Sequence, residues 1–386
     1  MESGPTMKKQ VAPLWSYALL VVAVLCMSTG GIWFALLDDT PPLMQATWRS
    51  LLTSLLQLIG FLYELRTDTS LDAAFWRRVR RSWGVLLLVG ICLGVFFGSL
   101  AWSVAHTSLV DSLFLATTTP LLIVLVMFFR WLIQRRSSSL PHADALLSPH
   151  STPDPIPDPA SPTSIRAVLF PRNALPPTLL EAIGTVLGFL GVVVLLTTSS
   201  ASHATTGHPS SVAGNAIAFF GAAVMVPFLE GSALCRQWMP LCAFSLPTTA
   251  LSTFIVAVAS LALEPSTSVA GLGPAALFGF LGDGRRFGLA FGSAAVAGIA
   301  GNTLMNLVVK DHSPLLVSIG VLWEPLLGGV IGWLVHVQGA PDTTTLAAAP
   351  FLFGGSLLVV LGAREYGIDP RRWCRAKVPS PPSAQE

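Results

Sequence analysis

Pro314–Val335 reads PLLVSIGVLWEPLLGGVIGWLV. As a helix rising about 1.5 Å per residue, this stretch reaches about 33 Å, the thickness of a bilayer's hydrocarbon core. Its one ionisable residue, Glu324, falls near the middle and is followed by Pro325. A carboxylate at that depth is costly unless it is protonated, paired or wetted. The proline removes a backbone donor and frees a carbonyl one turn earlier. A polar pocket at the bilayer midplane accounts for both features.

A second stretch has the same form. Ser108–Pro120 reads SLVDSLFLATTTP and Ser313–Pro325 reads SPLLVSIGVLWEP. Each is an apolar run with a proline twelve residues after a serine, at a common offset of 205 positions. The same offset aligns the apolar segments that precede them, around Trp83–Val104 and Phe287–Val309. Repeated halves with interrupted helices in matching positions point to the binding site of a transporter. Chance likeness between apolar helices is the competing explanation.

The 386-residue chain is 52% hydrophobic and 11% charged, and its mean hydropathy is +0.67. That composition belongs to a polytopic membrane protein rather than to a soluble domain around one core. The net charge of +2 gives no reason to expect nucleic-acid binding. The five cysteines lack metal-ligand spacing, so neither a zinc site nor a structural disulfide is expected, and no cofactor is expected either. Lys8 and Lys9 precede a first apolar segment long enough to span, which argues against a cleaved signal peptide.

Ten spans are expected: Leu14–Leu37, Leu43–Leu65, Trp83–Val104, Leu109–Trp131, Leu179–Thr197, Ala213–Cys235, Leu241–Leu263, Phe287–Val309, Pro314–Val335 and Leu346–Ala363. With the N-terminus in the cytosol, nineteen of the 22 lysines and arginines fall on the cytosolic side. Arg49 lies inside a span, and only Arg285 and Arg286 fall outside. Trp15, Trp83, Trp131 and Trp238 sit near cytosolic ends, as interfacial anchors do. The C-terminal tail (364–386) is then cytosolic as well. Residues 137–165 carry seven prolines among serines and aspartates and are expected to be a disordered cytosolic loop. It is either regulatory or a tolerated insertion.

Five spans per half is an odd number. The second half (213–363) therefore enters the membrane from the side opposite to the first (1–197). The expected fold is all-α, with ten transmembrane helices as two inverted five-helix repeats.

These features resemble the drug/metabolite transporter superfamily, in its EamA-like branch. The resemblance covers roughly Leu14–Glu365. It rests on STGGIWFALLDDTPPLMQATWRSLLTSLLQL (Ser28–Leu58), where an arginine early in the second span follows a Pro-containing turn. It rests also on the repeat cores ending at Pro120 and Pro325 and on the span count. It implies an inverted-repeat carrier with a central cavity, for cargoes such as amino acids, nucleotide sugars, sugar phosphates, polyamines or drugs. Family members often carry a glutamate near the ends of the fourth and ninth spans, where this chain has Gln134 and Gln338.

Glu324 is the first candidate for substrate binding or ion coupling: it would hold a cation or amine, exchange a proton, or sit protonated against a neighbouring helix. Trp323 beside it could stack on a ring. Glu230, in the sixth span, is either a second cavity carboxylate or a residue reaching to the cytosolic interface. Asn302 and Asn306, spaced i, i+4, would share a helix face and bind substrate or a neighbouring helix. Arg49 and Asp111 lie at similar depth near the outer leaflet and are expected to pair as helix-positioning or gating residues, with Pro120 and Pro325 marking the interrupted helices.

The expected function is secondary transport of a small polar metabolite by alternating access, with a proton or other cation as a potential coupling ion and a monomer or homodimer as the working unit. A channel or lipid scramblase is the second class. An intramembrane enzyme is the third, since FLGDGRR around Asp283 is similar to an aspartyl-protease motif but lacks its first glycine.

Overall fold

The computed structural model describes residues 14–138, 165–169, 177–198, 211–308, 323–337, 339 and 343–365. Residues 309–322 of the eighth and ninth expected spans, most of the Pro-rich loop (139–164), the connection 199–210, Gln338 and the tail from 366 lie outside the described residues. Among the described residues the chain is all-helical, with one isolated bridge between Ser268 and Ala276.

The helices are α1 (Leu14–Ser28), α2 (Gly30–Leu36), α3 (Pro42–Thr67), α4 (Ala73–Arg81), α5 (Trp83–His106), α6 (Leu109–Ala116), α7 (Thr119–Ser138) and α8 (Ile165–Leu169). They continue as α9 (Leu179–Thr198), α10 (Val212–Arg236), α11 (Leu241–Leu263) and α12 (Gly284–Gly292). A π-helical segment (Ser293–Thr303) then leads into α13 (Leu304–Val308), followed by α14 (Glu324–Leu334) and α15 (Thr343–Glu365). Among the described residues, six helical stretches are long and apolar enough to cross a membrane: Trp15–Leu36, Trp83–His106, Leu109–Ile133, Val212–Arg236, Leu241–Leu263 and Gly284–Leu307. Leu179–Val194 and Leu346–Val359 are apolar but shorter.

α3 is not among those six, and its two faces give the reason. Gln45, Arg49, Thr53 and Gln57 recur every four residues and are buried, whereas Leu55, Ile59, Leu62 and Tyr63 are exposed. A soluble amphipathic helix shows the reverse arrangement. A polar face turned inward and an apolar face turned outward suit a helix that meets lipid on one side and a polar interior on the other.

Several helices are interrupted where local chemistry competes with the helical ladder. The α1/α2 break falls at Thr29, whose hydroxyl bonds back to Cys26 O at 2.7 Å and accepts the Trp33 indole N–H at 3.0 Å. The α6/α7 break falls at Thr117 and Thr118, whose hydroxyls bond to Phe114 O and Leu115 O. Pro120 and Pro325 each sit in the first turn of a helix, α7 and α14, where a missing N–H costs nothing. The fourth expected span is thus two helices, and the eighth expected span is widened by the π segment, a feature that often accompanies function.

α9 packs along α15, α5 along α10 and α11, and α3 along α11 and the π segment, while α1 also lies on the π segment and α6 on α14. Small residues set the closest approaches: a Cβ on Gly355 would come within 2.6 Å of Gly184 O. At the end of the bundle where α3 begins, Trp48 is fully buried and its indole N–H donates to Ala276 O and Leu277 O, which anchors the connection after α11. Arg286 donates to Leu272 O and Gly279 O in the same connection and lies 3.9 Å from Asp39.

Candidate functional site

The inward face of α3 carries Arg49 into the protein, with 4% of its surface exposed. Its guanidinium lies over two aromatic rings, 5.4 Å from the centre of Phe34 on α2 and 4.8 Å from that of Phe97 on α5. Gly30, at the α1/α2 break, lies against it: a Cβ there would stand 3.4 Å from Arg49 Nη1 and 3.9 Å from Ala297 Cβ in the π segment. The break, the π segment and α5 therefore meet at one cation.

That cation lacks hydrogen-bond acceptors. Arg49 Nε and Nη1 are buried without a partner. A buried donor left unmet costs about 1–3 kcal/mol, so two on one guanidinium call for an explanation. The charge acting on Arg49 is that of Glu324, in the first turn of α14, and Arg49 acts on Glu324 in return. Among the described residues the two do not come within the 4.0 Å of a direct ion pair. The arrangement is a guanidinium with spare donors, two aromatic walls and a half-buried carboxylate attracting it across a gap. Chemically it can take the acid group of a small solute on Arg49 and, where the solute has one, an amine on Glu324.

The other expected residues fall around this centre or away from it. Asp111 is buried in α6 and has interactions of its own, but it forms no ion pair with Arg49. The ring of Trp323 is half exposed and stands edge-on to Phe353 of α15, at 5.9 Å, so the aromatic walls of the Arg49 centre are Phe34 and Phe97 instead. Glu230 forms a bidentate pair with Arg130 of α7, at 2.6 and 2.8 Å, and Arg130 also donates to Val168 O. It ties α10 to α7 and α8. Asn302 belongs to the π segment and Asn306 to α13, and both are half-buried. A π turn closes on i+5, so their spacing alone does not put them on one face. Near them Gln57 Nε2 donates to Thr303 Oγ1 at 3.3 Å, linking the polar face of α3 to the π segment. Asp283 caps α12 by accepting the Arg286 N–H.

Phe34 and Phe97 were not singled out in the sequence, since an aromatic residue in an apolar helix carries no mark of its partner. The glycine pair Gly30–Gly31 ahead of Trp33 was the one available signal for a break there.

No family model matches the chain, and no curated protein matches it either. Solved structures do: one crystal structure aligns over 91% of this chain and 98% of its own length, at 18% identity and a TM-score of 0.42. A likeness at that level carries no argument about fold or function.

Proposed function

We propose that this chain is a secondary transporter for a small polar solute, working by alternating access, with the Arg49–Glu324 centre as its solute site. The observation that carries the proposal is the buried Arg49, which has unmet donors and feels the charge of Glu324, beside the α1/α2 interruption. Interrupted helices beside a mid-membrane charge are the usual construction of a carrier's site. The drug/metabolite transporter resemblance belongs to the same proposal, with ten spans as two inverted halves.

The helix packing supports the two-halves reading. Exchanging the first five expected spans for the last five turns the α1–π-segment contact into the α10–α5 contact, and the α3–π-segment contact into the α11–α5 contact. The α3–α11, α6–α14 and α9–α15 contacts are unchanged by that exchange. Such reciprocity is what a pseudo-twofold axis in the membrane plane produces.

The test is a thermal-shift screen of purified protein with amino acids, nucleotide sugars, sugar phosphates, polyamines and cationic drugs, followed by uptake of each hit into proteoliposomes. A true ligand at about 100 times its dissociation constant adds about 2.7 kcal/mol of folded-state stability. Hits that are taken up saturably, and lost in both Arg49→Met and Glu324→Gln, are the expected outcome. Uptake that is saturable yet unaltered in both variants would place the solute site elsewhere. Linear, non-saturating flux would favour a channel or scramblase.

A further inference from the structure

At the arginine-rich end of the bundle, α4 lies between α3 and α5 with Asp72 capping its first turn through the Phe75 N–H, at 2.7 Å. Phe75 is buried, whereas Trp76 and, just past the helix, Trp83 are exposed. α4 is thus a short interfacial helix with its apolar anchor inward and two indoles outward. Beneath it is a cavity of about 470 Å³ whose walls include Arg77, Arg78, Arg81, Ser70 and Trp238.

Three arginines line this cavity against the single carboxylate of Asp72. Arg77, Arg78 and Arg81 occupy one helical turn, and among the described residues no carboxylate lies within ion-pair distance of Arg77 or Arg81. The acidic groups nearby are already engaged. Asp72 holds the α4 cap, and Asp68 accepts the Ser70 N–H at 2.8 Å, a bond that with the Ser70 side chain keeps its carboxyl below the usual range. Arg77 and Arg81, one helical turn apart, repel each other unless an anion joins them.

The back wall supplies a second, independent observation. The Arg78 guanidinium lies 4.4 Å over the Trp238 ring, which Phe75 meets edge-on at 5.7 Å. Trp238 Nε1 is buried and has no acceptor. A buried indole N–H ordinarily finds a partner. The cavity thus has an orphan donor on a wall residue and guanidiniums at its rim, and it faces the level where lipid headgroups begin.

We infer that this cavity binds a phosphate group, presented by the headgroup of an anionic phospholipid whose chains lie along the exposed Ile59, Leu62 and Tyr63 of α3. Arg77 and Arg81 hold the phosphate oxygens, and the Trp238 N–H reaches the headgroup from below. Bound lipid would join α4 to α10 through Trp238, stiffening the cytosol-facing end independently of the solute site.

The test titrates the full chain in detergent with short-chain phosphatidylglycerol, with phosphatidylcholine of the same chains, and with inorganic phosphate at constant ionic strength. Native mass spectrometry reads bound lipid. Phosphatidylglycerol is expected to bind more tightly than phosphatidylcholine. The double variant Arg77→Gln/Arg81→Gln is expected to weaken it by about fivefold per arginine removed, and Arg166→Gln, on the exposed face of α8, to leave it unchanged. Trp238→Phe keeps the ring, removes only the N–H, and also weakens phosphatidylglycerol; it carries the test if the double variant does not fold. Millimolar inorganic phosphate that displaces the lipid would keep the phosphate site and identify free phosphate as a second ligand. Equal affinity for the two lipids, or phosphatidylglycerol binding unchanged in both variants, overturns the inference.

Discussion

Glu64 and Glu264 each cap the helix that the other one ends. Glu64, near the end of α3, accepts the N–H groups of Cys242 and Ala243 in the first turn of α11, both at 2.9 Å. Glu264, one residue past α11, accepts the N–H of Leu43 in the first turn of α3, at 2.8 Å. Pro41 and Pro240 stand just before the two helices, and Pro42 opens α3, whose first turn therefore already lacks a donor. The carboxylates satisfy donors that remain and place negative charge at positive helix ends.

Glu64→Ala and Glu264→Ala are each expected to lower stability by about 1–2 kcal/mol, the usual value of a charged cap. The two caps lie at opposite ends of one helix pair, so the double variant should lose the sum to within about 0.5 kcal/mol. Detergent melting curves of the three variants check this.

Arg49→Met is expected to keep the fold, because a buried cation is replaced by an apolar chain of similar reach. Solute uptake should fall by at least about tenfold, a transition-state cost of about 1.4 kcal/mol. Arg49→Lys retains charge but loses the planar stacking on Phe34 and Phe97, and should rescue little. Uptake rates measured beside melting temperatures distinguish a lost site from a lost fold.

Glu230→Gln leaves the nearly buried Arg130 without its counter-charge. A loss of about 1–3 kcal/mol is expected, below the full value of a buried pair because Glu230 is partly exposed. Replacing both residues by methionine should restore most of it. A double-mutant cycle on melting free energies measures the coupling.

Gly355→Leu is expected to break the α9–α15 packing, since even a Cβ there would stand 2.6 Å from Gly184 O and 2.5 Å from Gly188 N. Backbone cannot yield as a flexible side chain can, so the cost should exceed about 3 kcal/mol or prevent folding. Gly288→Ala in α12 meets nothing within 4 Å and should stabilise by up to about 1 kcal/mol through helix propensity. Expression level and melting temperature report both.

His336 closes α14 with φ of 57°, and the Val337 N–H bonds back to Gly332 O at 3.0 Å. This is the helix-ending turn in which glycine is usual. His336→Gly should stabilise by about 0.5–1 kcal/mol, readable as a small rise in melting temperature.

The helical class and the apolar stretches were legible because composition and length act locally. A run of about twenty apolar residues can bury its backbone polarity only as a helix in a membrane. Pro120 and Pro325 could likewise be read as marking interruptions, since a proline disturbs the ladder wherever it stands. Depth along a span suggested Asp111 as the partner of Arg49, but depth says nothing about which helices are neighbours. Tertiary packing instead put Glu324's charge on Arg49, Phe34 and Phe97 over it, Arg130 on Glu230, and Glu64 and Glu264 on each other's helices. By itself the sequence determined the local matters of helix, apolarity and interruption, because covalent neighbours dictate them. Which charge meets which was decided only in three dimensions, because electrostatic and hydrogen-bond partners are set by rotation and crossing of helices distant in the chain.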